Sequence, residues 1–355
     1  MKIGVITFHR AQNIGANLQA YALNQFINQN IGECEIIDYY PNNQTAHKNR
    51  GRRLLSNFKT HIFYNSSRVR RAFAKFQTEN YILSSKTYYG DADIKKNPPQ
   101  YDILISGSDQ IFNTTLSGES KAYYLCFDNI AKKISYASSF GRDSISALEK
   151  KLIQTELVKF DKISVRETSA GLIIKEQIGV ECEVVLDPVF LLSKEQWNKM
   201  CSKLDIDQKY IFVYAMEVST NLLMTVNEAK RMYKLPTIVV YGCKENHIID
   251  GFEIYDCGPK EFLTYIKNAC IVITNSFHGT ALSMIFEKKY ICVAHSTRNV
   301  RLQNIMMLAD CEPKLTYKTI LGELNKYITN GAESMRTLKP HIEKSKKYLL
   351  NVLQK

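Results

Sequence analysis

His278 is the residue with the clearest chemical potential, because it stands where a predicted strand, 270–274, passes into a predicted helix, 279–287. A helix start offers unpaired backbone N–H groups and the positive end of the helix dipole, so it binds anions. Ser276 can cap this helix, Gly279 lets a ligand approach the backbone, and the imidazole of His278 can donate to a phosphate or shuttle a proton. The alternative is a histidine that only caps the helix.

Arg166 takes the same position in the first half of the chain. It follows the predicted strand 162–165, and Glu167 begins a helix directly after it. An arginine that points into a cleft can bind a carboxylate or a phosphate with two parallel hydrogen bonds. The alternative is a surface ion pair with Glu167 or another acid.

Two further polar loops follow strand-like runs near the N-terminus. After the predicted strand 102–106, Gly107 and Ser108 could line a phosphate or a sugar, and Asp109 could act as a base or bind hydroxyls; the alternative is a cluster that caps the next helix. The loop after the first strand lacks the Gly-x-Gly-x-x-Gly spacing, so a dinucleotide site is not supported. The candidate ligand-binding residues of the two loops are Asn13, Gly15, Asn17, Gln19, Gly107, Ser108, Asp109 and Gln110.

Strand and helix patterns alternate along the chain, which predicts an α/β fold with mostly parallel sheets covered on both faces. We expect residues 1–192 and 193–333 to form two Rossmann-like domains, with Asp187-Pro188 as turn chemistry near the boundary. The long basic helix pattern in 334–355 is expected to cross back to the first domain. Two such domains facing a cleft place ligands at the carboxyl ends of their strands, where all four polar loops begin.

Composition sets the class of protein. The chain has 355 residues, 45% hydrophobic and 23% charged, which is ordinary for a globular protein of two domains. No apolar run approaches the roughly 20 residues of a membrane-spanning helix, and no signal peptide pattern is present, so we expect a cytoplasmic protein. The nine cysteines include no Cys-x-x-Cys pair, which favours reduced thiols over a zinc site or disulfides. We predict no metal and no cofactor.

Six stretches of the chain, in this order, resemble motifs of the polysaccharide pyruvyl transferase family. They span residues 1 to about 310, nearly the whole chain. The matching stretches run from Asn13 to Leu23, Asp102 to Gln110, Ser135 to Gly141, Ser164 to Glu167, Leu186 to Pro188 and Ser276 to Gly279.

The resemblance implies a glycosyltransferase-B-like (GT-B-like) fold and a ketal-forming transferase. The pyruvyl group of phosphoenolpyruvate would move onto two hydroxyls of a sugar in a capsule or exopolysaccharide precursor, with release of phosphate. The acceptor would lie against the loops of the first domain, and the donor against the second. No cofactor takes part in this reaction.

The resemblance also implies which residues hold the donor. Arg166 and His278 match the arginine and histidine that bind it, and Arg298, or Arg301 nearby, matches a further basic residue. Some members carry an arginine where this chain has Ser276. Because the reaction protonates a methylene carbon and deprotonates two hydroxyls, His278 is assigned as the acid and Asp109 or Glu167 as the base.

The net charge of +12 suits phosphate-bearing ligands, and part of it is concentrated in residues 48–75. This segment could contact the inner face of an anionic membrane, where a lipid-linked oligosaccharide acceptor would reside. The alternative is a basic helix packed against the fold. Nucleic acid is not expected, because the segment lacks the aromatic stacking pattern of single-strand binders and no duplex-reading motif appears.

Two other functions compete with the transfer of pyruvate. One is a GT-B glycosyltransferase, whose nucleotide-sugar donor would require pyrophosphate-binding cations and a carboxylate for the ribose after the strands of the second domain; Glu245 and Glu287 are available but not motif-like. The other is a non-catalytic protein that binds a sugar phosphate. The chemical class of the donor distinguishes pyruvyl transfer from these two alternatives.

Overall fold

The computed structural model describes residues 1–41, 60–127, 130–204, 206–242, 248–297 and 299–354. It confirms the predicted α/β fold: the described chain forms two domains, each built on a mostly parallel sheet. None of the helices in these ranges is both long and apolar enough to cross a membrane.

The first domain contains a seven-stranded sheet within the described residues, and its strands are all parallel in the order β3-β2-β1-β4-β5-β6-β7. Its strands are β1 (Lys2–Ile6), β2 (Glu33–Tyr40), β3 (Leu83–Tyr89), β4 (Ile103–Asp109), β5 (Lys132–Ser138), β6 (Ser164–Val165) and β7 (Glu183–Val184). Its helices are α1 (Ile14–Asn30), α2 (Thr60–Asn80), α3 (Gly90–Lys96), α4 (Thr114–Ser117), α5 (Ala147–Thr155) and α6 (Thr168–Ile178).

The second domain has a six-stranded sheet in the order β10-β9-β8-β11-β12-β13, again counting described residues, and its last strand is antiparallel. Its strands are β8 (Ile211–Ala215), β9 (Thr237–Tyr241), β10 (Phe252–Glu253), β11 (Ile271–Thr274), β12 (Lys289–Cys292) and β13 (Thr329–Asn330). The remaining helices are α7 (Lys194–Met200), α8 (Thr220–Tyr233), α9 (Pro259–Asn268), α10 (Phe277–Ile285), α11 (Val300–Leu308) and α12 (Gly331–Gln354).

Central strands of both sheets are buried on both faces. All five residues of β8 are buried, and so are all seven of β4. Burial on both faces is typical of strands in parallel sheets with helices on each side. Each sheet also reverses its strand order, between β1 and β4 in the first and between β8 and β11 in the second, which opens a crevice at the carboxyl ends of those strands.

Helix α12 packs against both domains. Its buried residues recur every three or four positions, as at Leu338, Ile342 and Leu349, and this stripe contacts helix α10 of the second domain. Towards its end, the hydroxyl of Ser345 accepts the backbone N–H of Leu186 in the first domain at 2.9 Å. The chain therefore passes between the domains near residues 185–193 and again through α12.

The basic segment predicted over residues 48–75 is described only in part, since 48–59 lie outside the described residues. From residue 68 onwards α2 buries Phe73 and Phe76 and contacts helix α9 of the second domain. Lys260 on α9 pairs with Glu79 at 3.0 Å across this contact. The described part of α2 is thus packed against the fold, and membrane contact by the segment stays a prediction.

Two differences from the predicted elements affect the site. Strands β2 and β3 are additional to the predicted ones, and β2 carries Asp38, which reaches the cavity wall through Arg10. Helix α10 begins at Phe277 rather than 279, because Ser276 is its N-cap and accepts the backbone N–H of Gly279 at 3.3 Å. His278 therefore lies in the first turn of the helix.

Candidate active site

A cavity of about 280 Å³ lies between the two sheets, where the loops after β1, β4, β8, β11 and β12 meet. Ligands of doubly wound sheets bind at such reversals of strand order. Its lining includes side chains that carry charge or can form hydrogen bonds, namely those of Arg10, Asn13, Asp109, Gln110, Asn275, Ser276, His278, His295 and Arg301. Cations from both domains thus face one cavity.

Arg166 lies behind the cavity wall, with a side chain that is 2% exposed. Its guanidinium contacts Asp187 at 2.5 Å and Asp109 at 3.2 Å, and it stacks on the ring of Phe277 with its central carbon 4.8 Å from the ring centroid. Burial opposes the charged form, but these carboxylates outweigh it and raise the pKa of Arg166. Asn304 of the second domain donates to the backbone carbonyl of Arg166 at 3.2 Å. The arginine is therefore a charged centre at the domain interface.

Asp187 connects that centre to His278. Its Oδ2 lies 2.5 Å from Nη1 of Arg166 and 3.5 Å from Nε2 of His278, and its Oδ1 accepts the backbone N–H of Val189 at 3.1 Å. Burial would raise the pKa of Asp187, but His278 and Arg166 lower it to about 2. A carboxylate of the first domain therefore stays ionised beside the imidazole of the second.

His278 is 6% exposed and lies between the first turn of α10 and the first turn of α1. Its Nε2 is buried and makes no hydrogen bond within the described part of the chain, since its approach to Asp187 lacks hydrogen-bond geometry. Gly15 of the first domain touches the other side of the ring: a Cβ on Gly15 would lie 2.0 Å from Nδ1 of His278. The absence of a side chain at Gly15 creates the space for the imidazole.

Substitution of Gly15 by alanine should therefore displace His278. We expect turnover of the predicted pyruvyl transfer to fall about 100-fold, because a shift of about 1 Å in a catalytic group, the role predicted for His278, has an effect of that order. The helix itself favours alanine over glycine, so folding of α1 is not the cause. Steady-state rates and a thermal unfolding curve measure the two effects separately.

Gly171→Ala is the matched control, because a Cβ there meets its nearest neighbour at 3.6 Å, which is ordinary contact. It lies inside α6 and should leave turnover unchanged. Equal activity of the Gly15→Ala and Gly171→Ala proteins would contradict the placement of His278 against Gly15.

Arg301 and Asp109 form the wall of the cavity next to Arg166. Asp109 ends β4 in the left-handed region, with φ of 70°, which aspartate tolerates better than most side chains. Its Oδ1 lies 3.8 Å from Nη1 of Arg301. Burial, and then repulsion by Arg166, lowers the pKa of Arg301 to about 10, and its Nε is buried with no hydrogen-bond partner among the described residues. An anionic ligand would raise the pKa of Arg301 and would give its Nε a hydrogen-bond partner.

Arg10 lines the opposite part of the cavity. Its Nε donates to Asp38 at 2.7 Å and its Nη1 to Gln77 at 3.3 Å. Asp38 is itself held by the buried ring of His9 at 3.1 Å and by the hydroxyl of Thr87 at 2.6 Å. Burial would raise the pKa of Asp38, but His9, Arg10 and Thr87 lower it well below its usual range. The guanidinium of Arg10 is consequently fixed before any ligand arrives.

Only part of the predicted acceptor loop lines the cavity. Asn13 and Gln110 do, together with Asp109. Asn17 and Gln19 are fully buried and make internal hydrogen bonds, such as that from Asn17 to the carbonyl of Ala11 at 2.7 Å. Ser108 donates to the carbonyl of Ala137, and a Cβ on Gly107 would meet the carbonyl oxygen of Tyr136 at 2.3 Å. These four residues shape the loops and do not face the cavity.

Two of the predicted donor or catalytic residues, Glu167 and Gly279, have other neighbours than expected. Glu167 is fully buried, and its Oε1 accepts hydrogen bonds from the Ser139 hydroxyl and the backbone N–H of Phe140. This placement argues against Glu167 as the general base. Gly279 packs on Thr274, whose hydroxyl would lie 2.5 Å from an added Cβ, so close packing and not ligand approach requires the glycine. Arg298 lies outside the described residues.

Arg10, Asp187, Glu217 and His295 belong to the site but were not predicted as site residues. Nδ1 of His295 lies 3.1 Å from Oε2 of Glu217. Each of the four follows the carboxyl end of a strand by two to four residues. His278 was predicted as a site residue because it follows the carboxyl end of a strand, and the same criterion could have identified these four residues. No group of three or more His, Cys, Asp or Glu side chains in the described ranges is arranged to hold a metal ion.

Comparison with known proteins gives one family. The family model of the polysaccharide pyruvyl transferases matches residues 13–297. That range includes the loops after β4, β8 and β11, part of the loop after β12 and the last residue of the loop after β1, and so most of the cavity lining, although Arg10 and Arg301 lie outside it. No curated protein matches the chain.

Solved structures with the same fold include three sugar-nucleotide proteins. Anabaena Alr3699/HepE, in complex with UDP and glucose, has a TM-score of 0.52 at 8% identity over 100% of this chain and 99% of that one. S. aureus MnaA with UDP has a TM-score of 0.52 at 12% identity, covering 100% and 98%. The Neisseria meningitidis UDP-GlcNAc 2-epimerase bound to UDP-GlcNAc has a TM-score of 0.50 at 10% identity, covering 100% of both chains. At these identities the likeness shows a shared GT-B-like fold.

Proposed function

The chain belongs to the polysaccharide pyruvyl transferase family, and we propose that it transfers the pyruvyl group of phosphoenolpyruvate to two hydroxyls of a sugar in a surface polysaccharide precursor. The product is a cyclic ketal, and phosphate is released. The observation that carries the proposal is the cavity between the domains, where Arg10, His278 and Arg301 face one space. A donor with a phosphate and a carboxylate requires several converging cations.

The donor is assigned to the wall formed by His278 and Arg301. The first turn of α10 offers backbone N–H groups for the phosphate. Arg301, with its Nε buried and unpaired within the described residues, supplies a cation for an anionic group. Arg166 contributes from behind the wall, because its charge fixes Asp109 and Asp187. Ser276, which caps α10, leaves Arg301 to take the part that an arginine at position 276 would have in other members of the family.

The acceptor is assigned to the wall of the first domain, which contains Arg10, Asn13, Asp109 and Gln110. Asp109 is the base candidate that faces the cavity, whereas Glu167 is bonded to backbone N–H groups. Burial would raise the pKa of Asp109, but Arg166, His278 and Arg301 lower it, so its carboxylate is ionised at neutral pH. Whether the sugar is attached to a lipid is a separate question, which the assay below addresses through its acceptors.

The size of the cavity supports a small donor. About 280 Å³ is slightly less than the roughly 300–1,000 Å³ that drug-sized ligand sites occupy. A three-carbon phosphate and part of one sugar fit this space better than a whole nucleotide sugar does. A nucleotide-sugar donor remains the competing hypothesis, since proteins of this fold in complex with UDP are among the solved structures.

The test is phosphate release from phosphoenolpyruvate with galactosides and N-acetylmannosaminides as acceptors, each free and lipid-linked. Parallel reactions contain UDP-sugars in place of phosphoenolpyruvate. Phosphate release together with a ketal methyl signal in the proton NMR spectrum supports the proposal. Transfer from a UDP-sugar alone identifies a glycosyltransferase, and binding of a sugar phosphate without turnover of either donor identifies a sugar-phosphate binding protein.

Replacement of Arg301 by methionine tests the donor site directly. We expect KM for phosphoenolpyruvate to rise about 10- to 100-fold, because a hydrogen bond to a charged group contributes about 1.5–3 kcal/mol and 1.4 kcal/mol is a factor of ten. The control is Arg336→Met, which removes an exposed arginine of α12. An unchanged KM in the Arg301→Met protein would place the donor elsewhere.

A further inference from the structure

A second histidine–carboxylate pair lies in the wall of the same cavity. Nδ1 of His295 is 3.1 Å from Oε2 of Glu217, and the two side chains are 13% and 19% exposed. His295 is one of the lining residues. The pair resembles the arrangement of His278 with Asp187, but both of its members belong to the second domain.

The topology of the second sheet brings the two histidines together. Glu217, His278 and His295 follow the carboxyl ends of β8, β11 and β12, which are hydrogen-bonded neighbours in the order β8-β11-β12. Neighbouring strands lie about 4.8 Å apart. Both imidazoles therefore enter the cavity from adjacent strand ends.

Hydrogen bonds hold the second pair in place. Oε2 of Glu217 accepts the backbone N–H of Ser296 at 2.8 Å, and its backbone carbonyl accepts from Asn275 at 2.8 Å. The side chain of Asn299 accepts the backbone N–H of His295 at 2.8 Å. Catalytic groups need such support from surrounding residues to keep their geometry. Asn275 also joins this loop to the one that carries His278.

The proposed reaction requires more proton transfers than one histidine performs at once. The methylene carbon of phosphoenolpyruvate gains one proton, and each of two acceptor hydroxyls loses one. Of the two released protons, one replaces the proton given to carbon and the other leaves on phosphate. A single acid–base group would have to act on both sides of the reacting carbon.

We propose that His295, positioned by Glu217, is a second catalytic residue that takes the proton of the first acceptor hydroxyl and passes it to the departing phosphate. This role rests on the proposed function. The exchange is assigned to Nε2, on the opposite side of the ring from Glu217. For Nε2 to accept a proton, Nδ1 must carry the ring proton, and Oε2 of Glu217, 3.1 Å from Nδ1, favours that tautomer. The backbone N–H of Thr297, which approaches Nδ1 at 3.2 Å, favours the other tautomer.

The proton balance closes with the two histidines and Asp109. His278 protonates the methylene carbon, the first hydroxyl oxygen bonds to the central carbon, and its proton goes to His295. The bond from that carbon to the phosphate oxygen then breaks, and phosphate leaves with the electron pair and the proton held by His295. The second hydroxyl oxygen bonds to the same carbon, and Asp109 takes its proton and returns it to His278. All three side chains end as they began.

His295→Asn is the main test, because asparagine keeps a polar atom near the position of Nδ1 while it removes Nε2. We expect kcat for phosphate release to fall by about 100-fold or more, with KM for phosphoenolpyruvate nearly unchanged. The probes are phosphoenolpyruvate with p-nitrophenyl β-galactoside or p-nitrophenyl N-acetyl-β-mannosaminide. His341→Asn, on α12 away from the cavity, is the matched control and should keep the rate.

Glu217→Gln and His295→Ala separate catalysis from loop support. Glu217→Gln should lower kcat, by less than His295→Asn, without raising KM for phosphoenolpyruvate. Added imidazole should restore part of the rate of a folded His295→Ala protein, which a purely structural role would not allow. Full activity of His295→Asn, or no rescue by imidazole, overturns the role of His295 while wild-type phosphate release upholds the proposed function. No phosphate release by the wild-type protein with either acceptor overturns both.

Discussion

The Arg166→Met protein is expected to lose about 3–5 kcal/mol of its free energy of unfolding, the effect of removing one partner from a buried ion pair. Arg166 is 2% exposed, and the carboxylates of Asp187, Asp109 and Glu167 lie within 4 Å of its guanidinium. Methionine fills much of the same volume but leaves these acids without their principal cation. Urea unfolding monitored by circular dichroism measures the loss.

The same substitution at a surface ion pair is the control. Arg231 contacts Glu228 at 2.8 Å, but its side chain is 67% exposed. Water replaces the partner at such a site, so Arg231→Met should change the stability little. If the two variants unfold at the same urea concentration, the centre around Arg166 does not contribute to stability as argued.

Replacement of His278 by glutamine is expected to lower kcat for phosphate release by about 100-fold or more, because an amide can hydrogen-bond but cannot carry a proton at neutral pH. The fold should persist, since glutamine can occupy the space between Gly15 and Asp187. The measurement is a steady-state assay with phosphoenolpyruvate as the varied substrate.

His341→Gln provides the matched control for that experiment and should retain the wild-type rate. Thermal unfolding of both variants establishes that the histidine in the cavity, and not general stability, sets the rate. Near-normal turnover of the His278→Gln enzyme would exclude His278 as the acid and leave it a residue that only closes the interface.

The fold could be predicted from the sequence where the pattern was local. The alternating pattern of the second half of the chain predicts a strand over 237–241 and a helix over 259–268, and β9 and α9 have these bounds. A β-branched run between Pro236 and Gly242 marks the strand, and Pro259 marks the first turn of the helix. Such signals involve only neighbours in the chain, so they need no knowledge of tertiary packing.

The candidate site could be predicted only as a set of loops. Glu167 is at a strand end, as His278 is, but its carboxylate points to backbone N–H groups of a neighbouring loop. Asn17 and Gln19 are polar residues in the right loop that turn inward. The direction of a side chain from a loop depends on hydrogen bonds with distant residues, such as the one from Gln77 to Asn17. Spacing along the sequence contains no information about those partners.

Helix α12 limits how the two domains can move. The chain crosses between them twice, and the crossings touch where the backbone N–H of Leu186 bonds to Ser345. Two domains that are connected at two neighbouring points can rotate about the line through those points, but they cannot translate relative to each other. Asp187 follows Leu186 directly, so it lies on or close to that axis, where displacement is smallest. Arg166 and His278, which Asp187 contacts, should accordingly keep their mutual geometry when the domains rotate, whereas the contact between α2 and α9, which includes the Lys260–Glu79 pair, would have to shift. His278 and its counter-ion Asp187 would then lie close to the axis of that rotation.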